Sequence, residues 1–139
     1  MKILLDTNVV LDLLLAREPF VTYAREIFVL IENTEIEGYL CANSVTTLHY
    51  LIGREKNKEE ADEIISELLS LFEVTLVDKK VLTEATTNNG IDYEDSVIYT
   101  SAFHHDVEII VTRDKKGFQN SKISILTPQE FLAFWLTKK

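Results

Sequence analysis

The residues of this chain best suited to chemistry are aspartates that stand next to short apolar segments. Asp6 directly follows the first apolar run of the chain, and Asp114 follows a later one. Asp92 and Asp95 open a segment with helical character, and residues three apart on a helix are neighbours on its surface. Mg²⁺ and Mn²⁺ prefer oxygen ligands, and a few converging carboxylates suffice to bind them. The placement of these acids therefore predicts a divalent-metal site.

Each aspartate also has an ordinary structural explanation. Asp92 can cap the N-terminus of a helix, Asp95 can interact favourably with the helix dipole, and Asp114 can occupy a turn. Asp6 is harder to explain in this way, because a carboxylate at the end of a buried strand is costly without a partner. Asp12, on the first predicted helix, is expected to be a solvated residue. The joint placement of the other four acids is what favours a site.

The elements that must position these acids alternate between strand-like and helix-like patterns. Strands are predicted at residues 2–5, 38–41, 73–77, 108–112 and 123–126. Helices are predicted at residues 8–16, 19–33, 43–53, 57–72, 79–88, 92–105 and 128–136. This alternation predicts an α/β fold, a three-layer α/β/α sandwich with a central parallel sheet. Ligands bind at the carboxyl ends of the strands in such sheets, which is where Asp6 and Asp114 stand.

Length and composition limit the class of protein. A chain of 139 residues that is 46% hydrophobic is expected to form a single domain over residues 1–139. No apolar run approaches the roughly 20 residues that a membrane span needs. Asp6 and Asp12 interrupt the apolar N-terminal segment, so we expect no secretion signal there. The single cysteine, Cys41, fits a reducing compartment, and we expect a cytoplasmic protein.

The net charge of −9 restricts the binding partners. Proteins that hold nucleic acid by its phosphates usually carry a basic surface, so the charge argues against tight, general nucleic-acid binding. It does not argue against metal-centred turnover of nucleic acid, because bound cations would offset part of the acidic excess. An acidic chain would also suit a basic protein partner.

Three segments, taken in order, resemble the acidic motifs of the PIN domain family. They are Leu5-Asp6-Thr7-Asn8-Val9, Asp92-Tyr93-Glu94-Asp95-Ser96 and Val111-Thr112-Arg113-Asp114-Lys115-Lys116-Gly117-Phe118. Their order, their spacing and the total length of the chain all fit that family. The resemblance implies a metal-dependent endoribonuclease, often the toxin of a bacterial toxin–antitoxin pair of the VapC type. It further implies RNA as the substrate, an antitoxin protein as a partner, and a homodimer.

The resemblance also assigns roles to individual acids. Carried over position by position, Asp6, Asp95 and Asp114 match the catalytic and metal-binding acids that hold Mg²⁺ or Mn²⁺. Asp92 matches an accessory metal-binding acid found in one subgroup. Contacts with the RNA substrate are expected from a further set of polar residues near the predicted site, which comprises Asn8, Ser44, Thr47, Arg113 and Lys115.

The chain departs from the family pattern at the second acidic motif. The family usually has Glu or Asp where this chain has Thr47, and a hydroxyl is a weaker, neutral ligand. His49 is two residues further on, and helix geometry turns it towards a different side. Asp92 is expected to supply the missing charge; without such compensation, the protein would be a weak or inactive nuclease.

Two other functions compete with the nuclease. The first is a PIN-like module without catalytic activity that binds RNA or a protein partner, which the acidic charge and Thr47 favour. The second is a different α/β enzyme with an acidic pocket, such as a haloacid-dehalogenase-type phosphoryl hydrolase. That chemistry requires an aspartate at position 8, where this chain has Asn8. A receiver domain would require a further acidic pair after the first strand, and this chain lacks that pair.

Overall fold

Five short parallel strands form the centre of the molecule, which is described by a computed structural model for residues 1–88, 91–118 and 121–138. The strands are β1 (Lys2–Leu5), β2 (Glu37–Cys41), β3 (Glu73–Thr75), β4 (Ile109–Val111) and β5 (Ser124–Leu126). They are arranged in the order β3-β2-β1-β4-β5, and every neighbouring pair is parallel. The prediction of a central parallel sheet is therefore confirmed.

Within the described residues, seven α-helices connect and cover the strands. They are α1 (Thr7–Leu14), α2 (Val21–Glu32), α3 (Ala42–Glu55), α4 (Lys58–Leu71), α5 (Lys79–Ala85), α6 (Tyr93–His104) and α7 (Pro128–Lys138). A short 3₁₀ helix, Lys115–Phe118, follows β4. Each predicted element is present, with ends shifted by a few residues. The sequence Asn88-Asn89-Gly90, which follows α5, is typical of a helix end, and its residues 89–90 lie outside the described residues.

Local sequence signals explain where several helices begin. The hydroxyl of Thr127 accepts a hydrogen bond from the backbone N–H of Glu130, whose carboxylate accepts one from the N–H of Thr127. This reciprocal capping box, with Pro128 at the first helical position, starts α7 as the sequence predicts. Asn57 caps α4 in the same sense, because its side chain accepts from the N–H of Glu60 at 2.8 Å.

The buried faces of β1 show why the sheet needs helices on both sides. Ile3 and Leu5 are fully buried in the larger apolar cluster, which includes residues of α1, α2, α3, α4 and α7. Leu4 points to the opposite face and packs in a second cluster with Ile98 and Ala102 of α6. Alternate residues of one strand are thus buried in two different cores, as expected for the middle layer of a three-layer sandwich.

The strand order fixes where a ligand can bind. The chain builds the sheet outwards from β1 in one direction through β2 and β3, and in the other direction through β4 and β5. A crevice forms where the direction of winding reverses, outside the carboxyl ends of the two central strands. Here those strands are β1 and β4, with Leu5 paired to Val111. Asp6 and Thr112, the next residue of each strand, therefore meet at the mouth of the crevice.

Candidate active site

Asp6 is held in place by both strands that flank the crevice. Its backbone N–H donates to the carbonyl of Val111, which extends the β1–β4 pairing by one bond. Its carboxylate caps α1 by accepting from the N–H of Thr7 at 2.8 Å and accepts a second bond from the hydroxyl of Thr112, also at 2.8 Å. Burial raises the pKa of Asp6, and these two hydrogen bonds lower it in part. The carboxylate is therefore fixed in position and predisposed to accept a cation.

Thr112 links three residues of the crevice, Asp6, Asn8 and Asp114, and was not singled out by the sequence. Its buried hydroxyl donates to Asp6 and accepts from the side-chain amide of Asn8 at 3.3 Å and from the backbone N–H of Asp114 at 3.0 Å. Asn8 in turn accepts from the backbone N–H of Arg113 at 3.2 Å. One threonine thus holds the ends of β1 and β4 in register. In the sequence it is indistinguishable from an ordinary strand residue.

Asp95 faces Asp6 from the first turn of α6. It lies against the 3₁₀ helix so closely that a Cβ at Gly117 would collide with its carboxylate, so a larger residue there would displace the Asp95 side chain. The pKa of Asp95 is raised to about 6, first by burial and then by the negative charges of Asp6, Asp92 and Asp114. Repulsion of this kind between carboxylates is relieved by a bound cation.

A cavity of about 280 Å³ brings the predicted catalytic acids together. Asp6, Asp95 and Asp114 all line it, so the structure places the three acids around one space. Arg17 lines it as well, and it is the only basic side chain among the described residues of the cavity wall. Its place in the cavity was not predicted, because Arg17 lies in the α1–α2 connection and matches no acidic motif. The remaining wall is formed by Thr7, Asn8, Leu11, Thr47, Glu94 and Ile98.

The residues of the second motif are divided between the cavity and the surface. Thr47 lines the cavity, and its hydroxyl is 3.4 Å from the carbonyl of Asn43. His49 instead contacts Asp62 of α4 at 2.6 Å, on another side of α3 as predicted. Ser44 is buried and does not line the cavity. Neither Asn43 nor Ser44 caps α3, since the cap position falls on Cys41 without a side-chain hydrogen bond.

The expectation that Asp12 is solvated was wrong. Its side chain is 1% exposed and forms two hydrogen bonds with the Arg113 guanidinium, at 2.7 Å and 3.1 Å, while Arg17 approaches it to 3.9 Å. Arg113 also stacks over the ring of Phe20 at 3.9 Å. The error arose because Arg113, the partner that makes burial of Asp12 possible, is 101 residues away in the sequence.

The other predicted residues lie around the rim of the site. Lys115 forms an ion pair with Glu130 at 3.0 Å. Asp92 is the N-cap of α6, where its carboxylate accepts from the N–H groups of Glu94 and Asp95 at 3.0 Å and 3.4 Å, and it does not line the cavity. Its negative charge still raises the pKa of Asp95. Asp92 therefore both caps α6 and acts electrostatically on Asp95.

The donor set suits a hard cation that keeps part of its hydration shell. Within residues 1–88, 91–118 and 121–138, no three acidic, histidine or cysteine side chains are close enough to bind a metal ion together directly. Mg²⁺ needs only one or two carboxylates and keeps several water ligands. A cavity with three carboxylates in its wall, one of them with a pKa raised by repulsion from the others, fits that kind of binding.

Comparison with known proteins identifies the family. A model of the PIN domain matches residues 2–116. The chain belongs to the PIN domain family. The three motifs that resemble those of the family all fall within the matched residues, apart from Gly117 and Phe118 at the end of the third motif. A comparison with curated protein sequences finds no match.

Solved structures share the PIN fold at low sequence identity. VapBC2 from Rickettsia felis, crystallised with a DNA fragment of its promoter, matches with a TM-score of 0.66 and 21% identity over 91% of this chain and 97% of that one. VapBC-1 from nontypeable Haemophilus influenzae gives 0.68 and 16% over 93% and 99%. PAE2754 from Pyrobaculum aerophilum gives 0.65 and 14% over 100% and 97%. These likenesses support the three-layer PIN architecture.

Proposed function

We propose that this PIN domain is a metal-dependent endoribonuclease and the toxin of a cytoplasmic toxin–antitoxin pair. The observation that carries the proposal is the shared cavity of Asp6, Asp95 and Asp114 at the junction of β1 and β4. Structures similar to this chain are described as VapBC or toxin–antitoxin complexes, which supports an antitoxin as partner. Residues 1–139 would act as a single domain and as a homodimer.

The chain's own residues account for most of what the reaction needs. Asp6, Asp95 and Asp114 would hold Mg²⁺ or Mn²⁺, one or two of them directly and the rest through water ligands of the ion, with Asp92 adding negative charge from the cap of α6. When bound, such an ion lowers the pKa of a water molecule and neutralises charge on a phosphodiester. Thr112 orients Asp6, Gly117 leaves room for Asp95, and Arg17 places a positive charge where a phosphate would enter.

The test is cleavage of a fluorescent single-stranded RNA by the purified protein with Mn²⁺, with Mg²⁺ and with EDTA. We expect cleavage that requires the metal and that Asp95→Asn abolishes, while the circular dichroism spectrum remains that of the folded protein. Asp62→Asn, which changes an exposed acid on α4, serves as the matched control and should cleave normally. Cleavage that persists in the Asp95→Asn protein, or in EDTA, would refute the proposal.

A second candidate function, a PIN-like module without catalytic activity, is favoured by Thr47 at the position of the usual acid. It predicts RNA or antitoxin binding without turnover at saturating Mn²⁺. Thr47→Glu separates the two, because the added carboxylate would enter the wall of the cavity. If the wild-type protein is inactive and this variant cleaves RNA, the degraded second motif is the reason. Thr47→Gln, which adds the same bulk without charge, is the control.

A further inference from the structure

A second cavity lies beside the acidic one. It has a volume of about 460 Å³ and is lined by residues of the α1–α2 connection, the start of α2, the loop after β4 and the start of α7: Pro19, Phe20, Tyr23, Arg113, Thr127, Pro128 and Gln129. Arg113 immediately precedes Asp114, which lines the acidic cavity. Asp12 contacts both Arg113 and Arg17, so these two arginines bridge the two spaces. The two cavities are therefore linked through one buried carboxylate, that of Asp12.

The wall of this second cavity contains planar side chains and little unpaired charge. Phe20 and Tyr23 contribute aromatic rings, and Arg113 contributes a planar guanidinium stacked on Phe20 at 3.9 Å. The positive charge of Arg113 is already balanced by two hydrogen bonds to the buried carboxylate of Asp12. A phosphate would gain little from a cation paired in this way, whereas a neutral, planar ligand can stack on aromatic rings and on guanidinium planes.

We propose that this second cavity binds a nucleobase of the RNA strand whose phosphate enters the acidic cavity. The inference rests on the proposed nuclease function and names where the substrate is held. Gln129, exposed at the start of α7, supplies an amide that can donate to and accept from a base edge. The volume of the second cavity lies in the range typical of small-ligand pockets, about 300–1,000 Å³. In this arrangement the guanidinium plane of Arg113, held by Asp12, would stack on the nucleobase. Its neighbour Asp114 lines the acidic cavity, where the phosphate would lie.

The first experiment measures binding without turnover. Isotope-labelled Asp95→Asn protein is titrated with adenosine, AMP, UMP and ribose 5-phosphate, and amide chemical shifts are followed by NMR. With the nucleoside and both nucleotides, we expect saturable changes in the amide chemical shifts of Phe20, Tyr23 and Gln129. With ribose 5-phosphate, we expect these three amides not to shift. Equal shifts with ribose 5-phosphate, or shifts confined to other parts of the molecule, would overturn the proposal.

The second experiment removes one ring. Tyr23→Leu should weaken binding of a short single-stranded RNA to the Asp95→Asn protein about tenfold, the size expected for the loss of one stacked base. The matched control is Phe103→Leu, which removes an exposed aromatic ring from a cavity of similar volume, about 430 Å³, lined by Tyr99, Phe103 and Lys122 among others. Equal affinities of the Tyr23→Leu and Phe103→Leu proteins would overturn the proposal.

The outcomes separate this inference from the nuclease proposal. If the otherwise wild-type Tyr23→Leu protein cleaves RNA with an unchanged KM, the nuclease stands and the nucleobase site falls. If the wild-type protein never cleaves but nucleobases bind at Phe20 and Tyr23, the nucleobase site stands and the chain is an RNA-binding PIN domain. A thermal melt of each variant verifies that it is folded before its affinity is interpreted.

Discussion

At the scale of single residues, Asp95 is the acid whose environment is most unfavourable to its charge. Its pKa of about 6 exceeds the ordinary value of 3.8, so the metal-free protein binds this proton more tightly when folded than when unfolded. Ionised Asp95 therefore destabilises the fold: the cost is absent below pH about 4, grows between about pH 4 and 6, and is complete above pH 6. A bound cation should remove that cost.

We expect Asp95→Asn to raise the melting temperature of the metal-free protein at pH 7.5 and to change it little at pH 4. Mn²⁺ at a hundred times its dissociation constant should stabilise the wild-type protein by about 2.7 kcal/mol and the variant much less. Thermal melts in EDTA and in Mn²⁺ across this pH range provide the measurement. A variant that melts below the wild type at pH 7.5 in EDTA would contradict the argument.

Thr112 is the residue whose hydroxyl the site depends on most. Thr112→Val keeps the shape of the side chain but leaves Asp6 without one donor and the Asp114 N–H without its acceptor. Loss of hydrogen bonds to buried groups costs about 1–3 kcal/mol each, and Asp6 loses its fixed orientation. We expect a lower urea midpoint and weaker Mn²⁺ binding by calorimetry. Thr112→Ser, which keeps the hydroxyl, should bind Mn²⁺ nearly as well as the wild type, and equal losses in both variants would refute this role.

At the scale of elements, the Asp12–Arg113 pair connects α1 to the loop after β4. Asp12 is 1% exposed and Arg113 29%. Removal of one partner from a fully buried ion pair costs about 3–5 kcal/mol, because the other charge is left unpaired, and the partial exposure of Arg113 places the expected cost at about 3 kcal/mol, the lower end of that range. Asp12→Ala should therefore lower the free energy of unfolding by an amount of this order, measured by urea denaturation. Asp62→Ala, which removes an exposed acid paired with His49 and Lys58, should change it little. Similar losses from the two changes would contradict this account.

The elements of the fold were easier to predict than the contacts between them. Strand and helix patterns are local, so the sheet, its helices and the capping box of Thr127 and Glu130 follow from neighbouring residues. Asp6, Asp95 and Asp114 were found because each stands at a strand end or a helix start. The Thr112–Asp6 and Asp12–Arg113 contacts were not predicted, because each joins residues about a hundred positions apart and leaves no periodic pattern. Arg17 reaches the cavity only through the course of the α1–α2 connection.

At the scale of the whole molecule, the net charge of −9 and the pairing of the basic residues near the site limit how RNA can be held. Arg113 donates two close hydrogen bonds to Asp12, and Lys115 is paired with Glu130. Arg17, the basic side chain in the described wall of the acidic cavity, approaches Asp12 only to 3.9 Å and is 41% exposed, so it is the more available of these residues to a phosphate. No helix in the described part of the chain is long and apolar enough to cross a membrane.

The salt dependence of RNA binding should therefore be shallow. For single strands, the slope of log K against log salt is about −0.7 for each phosphate neutralised, so one phosphate held at Arg17 predicts a slope near that value. The measurement is titration of the Asp95→Asn protein with a short RNA between 50 and 300 mM KCl. Arg17→Gln should bring the slope close to zero, whereas Lys79→Gln, which removes an exposed charge at the start of α5, should leave it unchanged. A slope several times steeper would mean that a basic surface elsewhere, on this chain or on a second copy, holds the RNA.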